Sequence, residues 1–260
     1  MIYLFGHKGF LGSAFSRFFK TKKIPYMGID RNNYSELAGS KSDIFINVNG
    51  NSKKYLAEQN PLLDFEMNVM NTFRTFTDFS FKKYIHISTV DVYNDFKNPN
   101  HNNEKSIIDP SVLKNYGFSK YLSELIVKKH SPDWLIFRLG GMIGDSLGKN
   151  PVFDIVTGNK LYLHPESRMQ FINTDDVARI IFSLRNKKNE IYNLCGTGTI
   201  SLKEISEYAG YKIEKNFYKN PKNIYDINIK KIKKYSNIPK TKETVLKFIE
   251  DVKTSSMKIK

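Results

Sequence analysis

The chain has 260 residues, with 41 Lys and Arg against 26 Asp and Glu, and a formal net charge of +15. Its 40% hydrophobic content can bury a core of one domain or a domain and a half, and no apolar run approaches the ~18 residues of a membrane span. Lys8 and Arg17 interrupt the start, so no signal peptide is expected. The single cysteine, Cys195, excludes an internal disulfide framework, and a cytoplasmic setting without a membrane partner is expected. The lysines are scattered in pairs such as Lys53-Lys54 and Lys128-Lys129, with no nucleic-acid-binding motif beside them. Most of the charge therefore reads as solvated surface, with a share of it helping a phosphorylated substrate to arrive.

Ile2–Phe5 is an apolar run of strand length. Gly6-His-Lys-Gly9-Phe-Leu-Gly12 follows it, then a helical pattern over Ser13–Lys20. Strand, glycine-spaced turn and helix in that order make a phosphate site: glycines let backbone approach a pyrophosphate, and the helix start offers N–H groups and a positive dipole. Ile24–Asp30 reads as the second strand and ends in a carboxylate eighteen residues past Gly12. A carboxylate there can accept from an adenosine ribose and repels a 2′-phosphate, which favours NAD. Arg31 leaves NADP open, because a guanidinium can pair with that phosphate.

Asp43–Val48 is a buried strand running into Asn49-Gly50, and the short polar stretch from Asn32 to Ser42 leaves no room for a further strand and helix before it. Asn60-Pro61 opens a helix over Leu62–Phe79 that carries Asn68 in its middle. Tyr84–Thr89 is the next strand, with Val90–Tyr93 continuing it. Ser88 and Thr89 stand at the carboxyl end, where open parallel sheets place ligands.

Ser111–Lys129 reads as a helix with Tyr116 and Lys120 four residues apart, so a phenol and an ammonium share one face. A nearby ammonium should lower the phenol from its ordinary pKa of about 10 toward working pH, where it can exchange a proton with an alcohol or ketone. Taken alone, the motif is weak in a chain with 15 Tyr and many Lys, and its plain reading is a surface pair on an amphipathic helix. Trp134–Leu139 is the last long strand. Beyond it lie short strands at Leu161–His164, Met169–Ile172 and Ile191–Leu194, and a helix over Thr174–Leu184. Ser201 and Glu204 form a capping box, Lys240–Val252 is a last helix, and Lys253–Lys260 should fray. The alternation predicts a doubly wound parallel α/β (Rossmann) domain over 1–144. A small α+β lobe over 145–260 follows, some of its segments returning to the sheet.

In this order and at these distances the residues resemble the extended short-chain dehydrogenase/reductase family, the nucleotide-sugar epimerases and their relatives. The resemblance rests on Gly6, Gly9 and Gly12, Asp30, Asn68, Ser88-Thr89 before Val92-Tyr93, Tyr116 and Lys120 with Glu124, Arg138, and Phe171–Ala178. It implies a dinucleotide held by Gly6, Lys8, Gly9, Phe10, Leu11 and Gly12 at its phosphates. It implies Asp30 and Arg31 at its ribose, and Asn49, Gly50, Asn68 and Lys120 along the rest. It further implies Tyr116 as acid/base, Lys120 on the nicotinamide ribose, and Thr89 (with Ser88 as fallback) on the reacting oxygen.

The family's dehydratases carry an Asp-Glu pair after the Thr. Here Val90 and Asp91 stand there, which argues against dehydration and leaves Asp91 to the substrate. Met169 replaces an Arg that often clamps the sugar nucleotide's diphosphate, with Arg168 one residue earlier as the substitute. The resemblance thus implies an NAD(P)-dependent epimerase or ketoreductase acting on a nucleotide-activated sugar. The competing reading is a non-catalytic dinucleotide sensor or scaffold on the same fold. No metal and no nucleic-acid partner are expected. A homodimer is, because the helices over 62–79 and 111–129 are apolar on more than one side.

Overall fold

The computed structural model describes residues 1–254 and 259. The frayed end expected for Lys253–Lys260 lies, at 255–258 and 260, outside the described residues. Five strands, β1 (Ile2–Phe5), β2 (Tyr26–Ile29), β3 (Lys41–Asn47), β4 (Ser80–Thr89) and β5 (Trp134–Leu139), form a sheet in the order β2-β1-β3-β4-β5. The strand Glu190–Leu194 follows at the edge beside β5. The paired strands β1/β2, β1/β3, β3/β4 and β4/β5 all run parallel. Only one turn of helix, Tyr34–Leu37, stands between β2 and β3, so the sheet passes directly from β1 to β3. The chain direction across the sheet reverses at β1, and the crevice at the carboxyl ends of β1 and β3 is where such sheets bind ligands.

The strands form where the sequence offers continuous apolar runs. All four residues of β1 are buried, as expected for a strand covered on both faces. Helix α1 (Phe10–Thr21) buries Leu11, Ala14, Phe15 and Phe19, one stripe at helical spacing. Phe45 on β3 stacks on Tyr84 of β4 with ring centroids 5.4 Å apart. The buried Tyr84 hydroxyl meets the Asn47 carboxamide at 2.8 Å and Thr75 at 2.9 Å.

Two compact units share the chain. The first comprises 1–94, 104–139 and 178–192, the second 95–103, 140–177 and 193–260. Within the second, Gly141–Ile143 pairs in parallel with Phe171–Asn173, and Arg168–Met169 pairs antiparallel with Ile200–Ser201. Its longer helices include Pro151–Thr157, Leu202–Ala209 and Thr241–Lys253, the second opened by the Ser201/Glu204 capping box. Among the described residues no helix is long and apolar enough to cross a membrane.

Several local expectations are corrected. The Tyr116 helix spans Asn115–His130, not Ser111–Lys129; Pro110–Val112 is a separate 3₁₀ turn started by the Asp109 carboxylate on the Ser111 N–H. Val90–Val92 is also a 3₁₀ turn rather than a continuation of β4, because the Thr89 hydroxyl caps it at the Asp91 N–H. Leu161–His164 is not a strand. The helix expected over Leu62–Phe79 is present, but Glu66–Met70 in its middle is a π turn between Pro61–Phe65 and Asn71–Asp78.

Candidate active site

The turn after β1 closes because its glycines lack side chains. Gly6 sits at φ +90°, and a Cβ there would come within 2.9 Å of the Asn49 nitrogen. A Cβ on Gly12 would lie 2.1 Å from the Gly6 carbonyl, so α1 could not start where it does. Gly9 caps α1 without a side-chain hydrogen bond, and the first turn holds no acidic residue. The N–H groups of Phe10 and Leu11 thus start a 12-residue helix that favours an anion at its head. This cradle fits a dinucleotide pyrophosphate.

Asp30, just past β2, borders an open hollow of about 460 Å³ lined with His7, Lys8, Tyr26, Gly28, Asn32 and Asn33. One of its oxygens meets the Lys8 ammonium at 2.5 Å and the His7 ring at 3.3 Å, and the other accepts from the Asn32 N–H at 2.8 Å. Lys8 above all, then the Asn32 N–H, hold the carboxyl at a pKa of about 2, so it stays ionised. Arg31 is exposed beside it. The sequence reading missed His7, whose ring covers Gly28 so closely that a Cβ there would be 2.6 Å from it. Only the glycine opposite could have signalled that contact.

At the end of β4 the two candidate hydroxyls part. The Thr89 hydroxyl acts to lower the pKa of the Tyr116 phenol and donates to the Asp91 carboxylate at 2.9 Å. The other Asp91 oxygen meets Lys54 at 2.6 Å. Gly117 makes this approach possible: a Cβ there would stand 2.3 Å from the Asp91 carbonyl. Ser88 points to the opposite side, donating to Glu124 at 2.6 Å. Glu124 in turn receives Arg138 through two bonds of 2.9 and 2.7 Å. Both members of this ion pair are buried, and the Tyr93 ring lies 4.8 Å from the guanidinium. Ser88 is therefore corrected from fallback catalyst to a partner of a core ion pair.

Lys120, one turn on from Tyr116, is buried and donates to the Ile87 carbonyl of β4 at 2.6 Å. Desolvation depresses its pKa to about 8, against the pull of Glu124 and Asp64. The expected lowering of the Tyr116 pKa is not found. Burial raises it above its ordinary value, Asp91 adds to the rise, and Lys54 and the Thr89 bond oppose them. The ring keeps partial solvent exposure, which tempers the shift.

Asn68 lies in the π turn. Its carboxamide donates to Asp64 at 2.8 Å, while its backbone carbonyl accepts from Thr72 at 2.7 Å and from Ser123 of the Tyr116 helix at 3.0 Å. Gly50, at φ +133°, faces it: a Cβ there would come within 2.4 Å of the Asn68 Oδ1. Asn49 donates its N–H to Asn47 at 3.0 Å. Arg168, in the second unit, is held by the Thr199 hydroxyl at 3.1 Å and by Glu204 at 3.3 Å.

This architecture is that of a Rossmann-type α/β protein. A family model described as the NAD dependent epimerase/dehydratase family matches residues 2–195, and the chain belongs to that family. No curated protein matches its sequence. Among solved structures it is similar to a UDP-galactose 4-epimerase at 18% identity, covering 98% of this chain and 99% of that one, with a TM-score of 0.80. The UDP-glucose 4-epimerase of Thermotoga maritima, solved with UDP-glucose, is similar at 16% identity, with coverage of 98% and 99% and a TM-score of 0.78. A dTDP-4-dehydrorhamnose reductase of Bacillus anthracis, in complex with NADP, is similar at 17% identity, 96% and 97% coverage and a TM-score of 0.76. At such identities the likeness is one of fold.

Proposed function

We propose that the protein is an epimerase or ketoreductase that moves a hydride at a carbon of a nucleotide-activated sugar. The observation that supports this reading is that Thr89 acts on the Tyr116 phenol at the carboxyl end of β4, with Lys120 one turn on from Tyr116 and bonded to Ile87 of the same strand. A bound nicotinamide dinucleotide would supply the hydride acceptor or donor. Tyr116 gives or takes the proton at the reacting oxygen, and Thr89 holds that oxygen through a hydrogen bond. The raised phenol pKa keeps Tyr116 protonated in the free protein, ready to donate to a carbonyl. Lys120 grips the ribose, and in the free protein the cation that acts on the phenol is Lys54. Asp30, ionised at the end of β2, supports NAD as the preferred cofactor, with Arg31 the residue that would admit NADP.

Dehydration is not part of the proposal. Val90 is an apolar, buried residue at the head of its turn, so Asp91 has no carboxyl neighbour there with which to divide acid and base work. We also infer a homodimer, since Leu62 and Phe73 on one helical run and Phe118 and Leu125 on the Tyr116 helix remain exposed. Light scattering at micromolar protein reads it directly.

The test of function is incubation with UDP-, dTDP-, GDP- and CDP-sugars and their 4-keto forms, followed by NMR and by NADH absorbance. An epimerase turns over without added cofactor. A reductase consumes NAD(P)H in proportion to a keto sugar. A 4-keto-6-deoxy product from an unmodified hexose nucleotide would sink the argument from Val90. Inertness across the panel with cofactor bound favours the sensor reading.

A further inference from the structure

Asp64 is a fully buried carboxylate on the Pro61–Phe65 helix. One oxygen accepts from the carboxamides of Asn51 at 2.7 Å and Asn68 at 2.8 Å, and the other oxygen has no hydrogen-bond partner. Its partners are therefore neutral amides. A buried carboxylate so placed is costly unless a positive charge lies within electrostatic reach.

Lys120 is such a charge. Asn68, bound to Asp64, also accepts from Ser123, which stands three residues after Lys120 on the neighbouring helix. The two carboxylates that act on Lys120, Glu124 and Asp64, are not equivalent. Glu124 is already matched at contact distance by Arg138 and receives Ser88 as well. Asp64 has no such cation.

We propose that Asp64 is the counter-ion of Lys120, an amide-held carboxylate that keeps the lysine charged in the folded protein. The counter-ion itself needs only the buried lysine; its catalytic consequence rests on the function proposed above. The other charged or titratable groups that bear on Lys120 are Glu124 on its own helix, with Arg138 of β5 bound to Glu124, and His86 on β4; Tyr116 stands one turn earlier on the same helix. His86 adds no positive charge: burial, then the charge of Lys120, hold its pKa well below the ordinary value. Asp64 also acts on Tyr116, adding to the rise in the phenol pKa.

The test needs neither cofactor nor substrate. Lysine labelled with ¹³C and ¹⁵N gives Lys120 a titrating signal, assigned by its loss in Lys120→Met, and the wild type should titrate near pH 8. Asp64→Asn keeps an acceptor for Asn51 and Asn68 while removing the charge, and should lower that midpoint by about one pH unit. Asp64→Ser removes the same charge and serves if Asp64→Asn does not fold. A midpoint that moves by less than about 0.2 unit in the folded variant overturns the proposal. In turnover, the limb of the kcat–pH profile that follows Lys120 should move with the midpoint while KM stays put. A uniform loss of kcat with that limb unmoved would make Asp64 merely structural and overturn the proposal. Failure of the titration leaves Tyr116 untouched as acid/base, and failure of Tyr116 leaves the titration intact.

Discussion

Ser88 and Thr89 are neighbouring hydroxyls at the end of one strand, yet they belong to two different neighbourhoods. Side chains alternate across a strand, so one hydroxyl enters the core and the other faces the Tyr116 phenol. On the Ser88 side every charge is answered: Glu124 has Arg138 and Ser88, and Tyr93 covers the guanidinium. On the Thr89 side the groups are only partly answered. The phenol is raised in pKa, the lysine is lowered, and Asp91 is shared between Thr89 and Lys54. The paired ions hold the strand and the helix together, with only the Arg138 Nη1 left without a hydrogen bond; on the other side the phenol and the lysine are both shifted from their ordinary pKa values by burial.

Tyr116→Phe is the largest expected break in that contrast. It should lower kcat by roughly 10²–10⁴-fold while melting temperature and dinucleotide binding stay near wild type. Turnover within a factor of about three of wild type would remove Tyr116 from the chemistry. On the closed side, Arg138→Leu should cost about 3–5 kcal/mol in urea denaturation, because Glu124 is left buried and uncompensated. Replacing both, as Arg138→Met with Glu124→Leu, should recover most of that loss. A double variant no better than the single one would show that packing around the guanidinium, not its charge, is what counts.

Lys120 gives a smaller effect with a definite sign. Its folded pKa of about 8 lies below the ordinary lysine value of 10.5. Between those values the unfolded chain binds more protons, so stability should rise with pH through this window. The difference, 10.5 − 8 = 2.5 units, corresponds to about 3 kcal/mol, most of it gained by pH 10. Urea denaturation at pH 8, 9 and 10, with Lys120→Met subtracted, reads that gain; a flat difference would mean that the lysine is not perturbed. The smallest pair sharpens the comparison most directly. Ser88→Ala should cost about 1 kcal/mol of stability and leave kcat within about threefold, whereas Thr89→Val should lower kcat by about tenfold or more.

The parts of this molecule that were legible from sequence are those carried by local pattern. The four apolar residues of β1, the glycine turn behind them, Pro61 after Asn60 and the Ser201/Glu204 box each specify an element through neighbours in the chain. The corrections fall where distant residues decide. Val90–Tyr93 has the composition of a strand, but the Thr89 hydroxyl turns it. Burial and Asp91 override the ammonium spaced four residues from Tyr116. Asp64 is invisible in sequence, because a single carboxylate in an amphipathic helix reads as its solvent face, and only folding puts it inside. The helix Pro151–Thr157 went unread because its seven residues are too few to establish a period.

The π turn at Glu66–Met70 bears on how this chain is compared with others. Such a turn holds one residue more than an α-helix would over the same length. Each residue advances an α-helix by about 100°, so removing one from this stretch would rotate everything from Asn71 onward by that angle. Thr72 and Thr75, which meet Asn47 and Tyr84, would swing off β3 and β4. Alignments that slide such an extra residue into a loop will pair the wrong faces of the helix. Against a relative whose helix is α throughout, the gap belongs inside the element, between Glu66 and Met70.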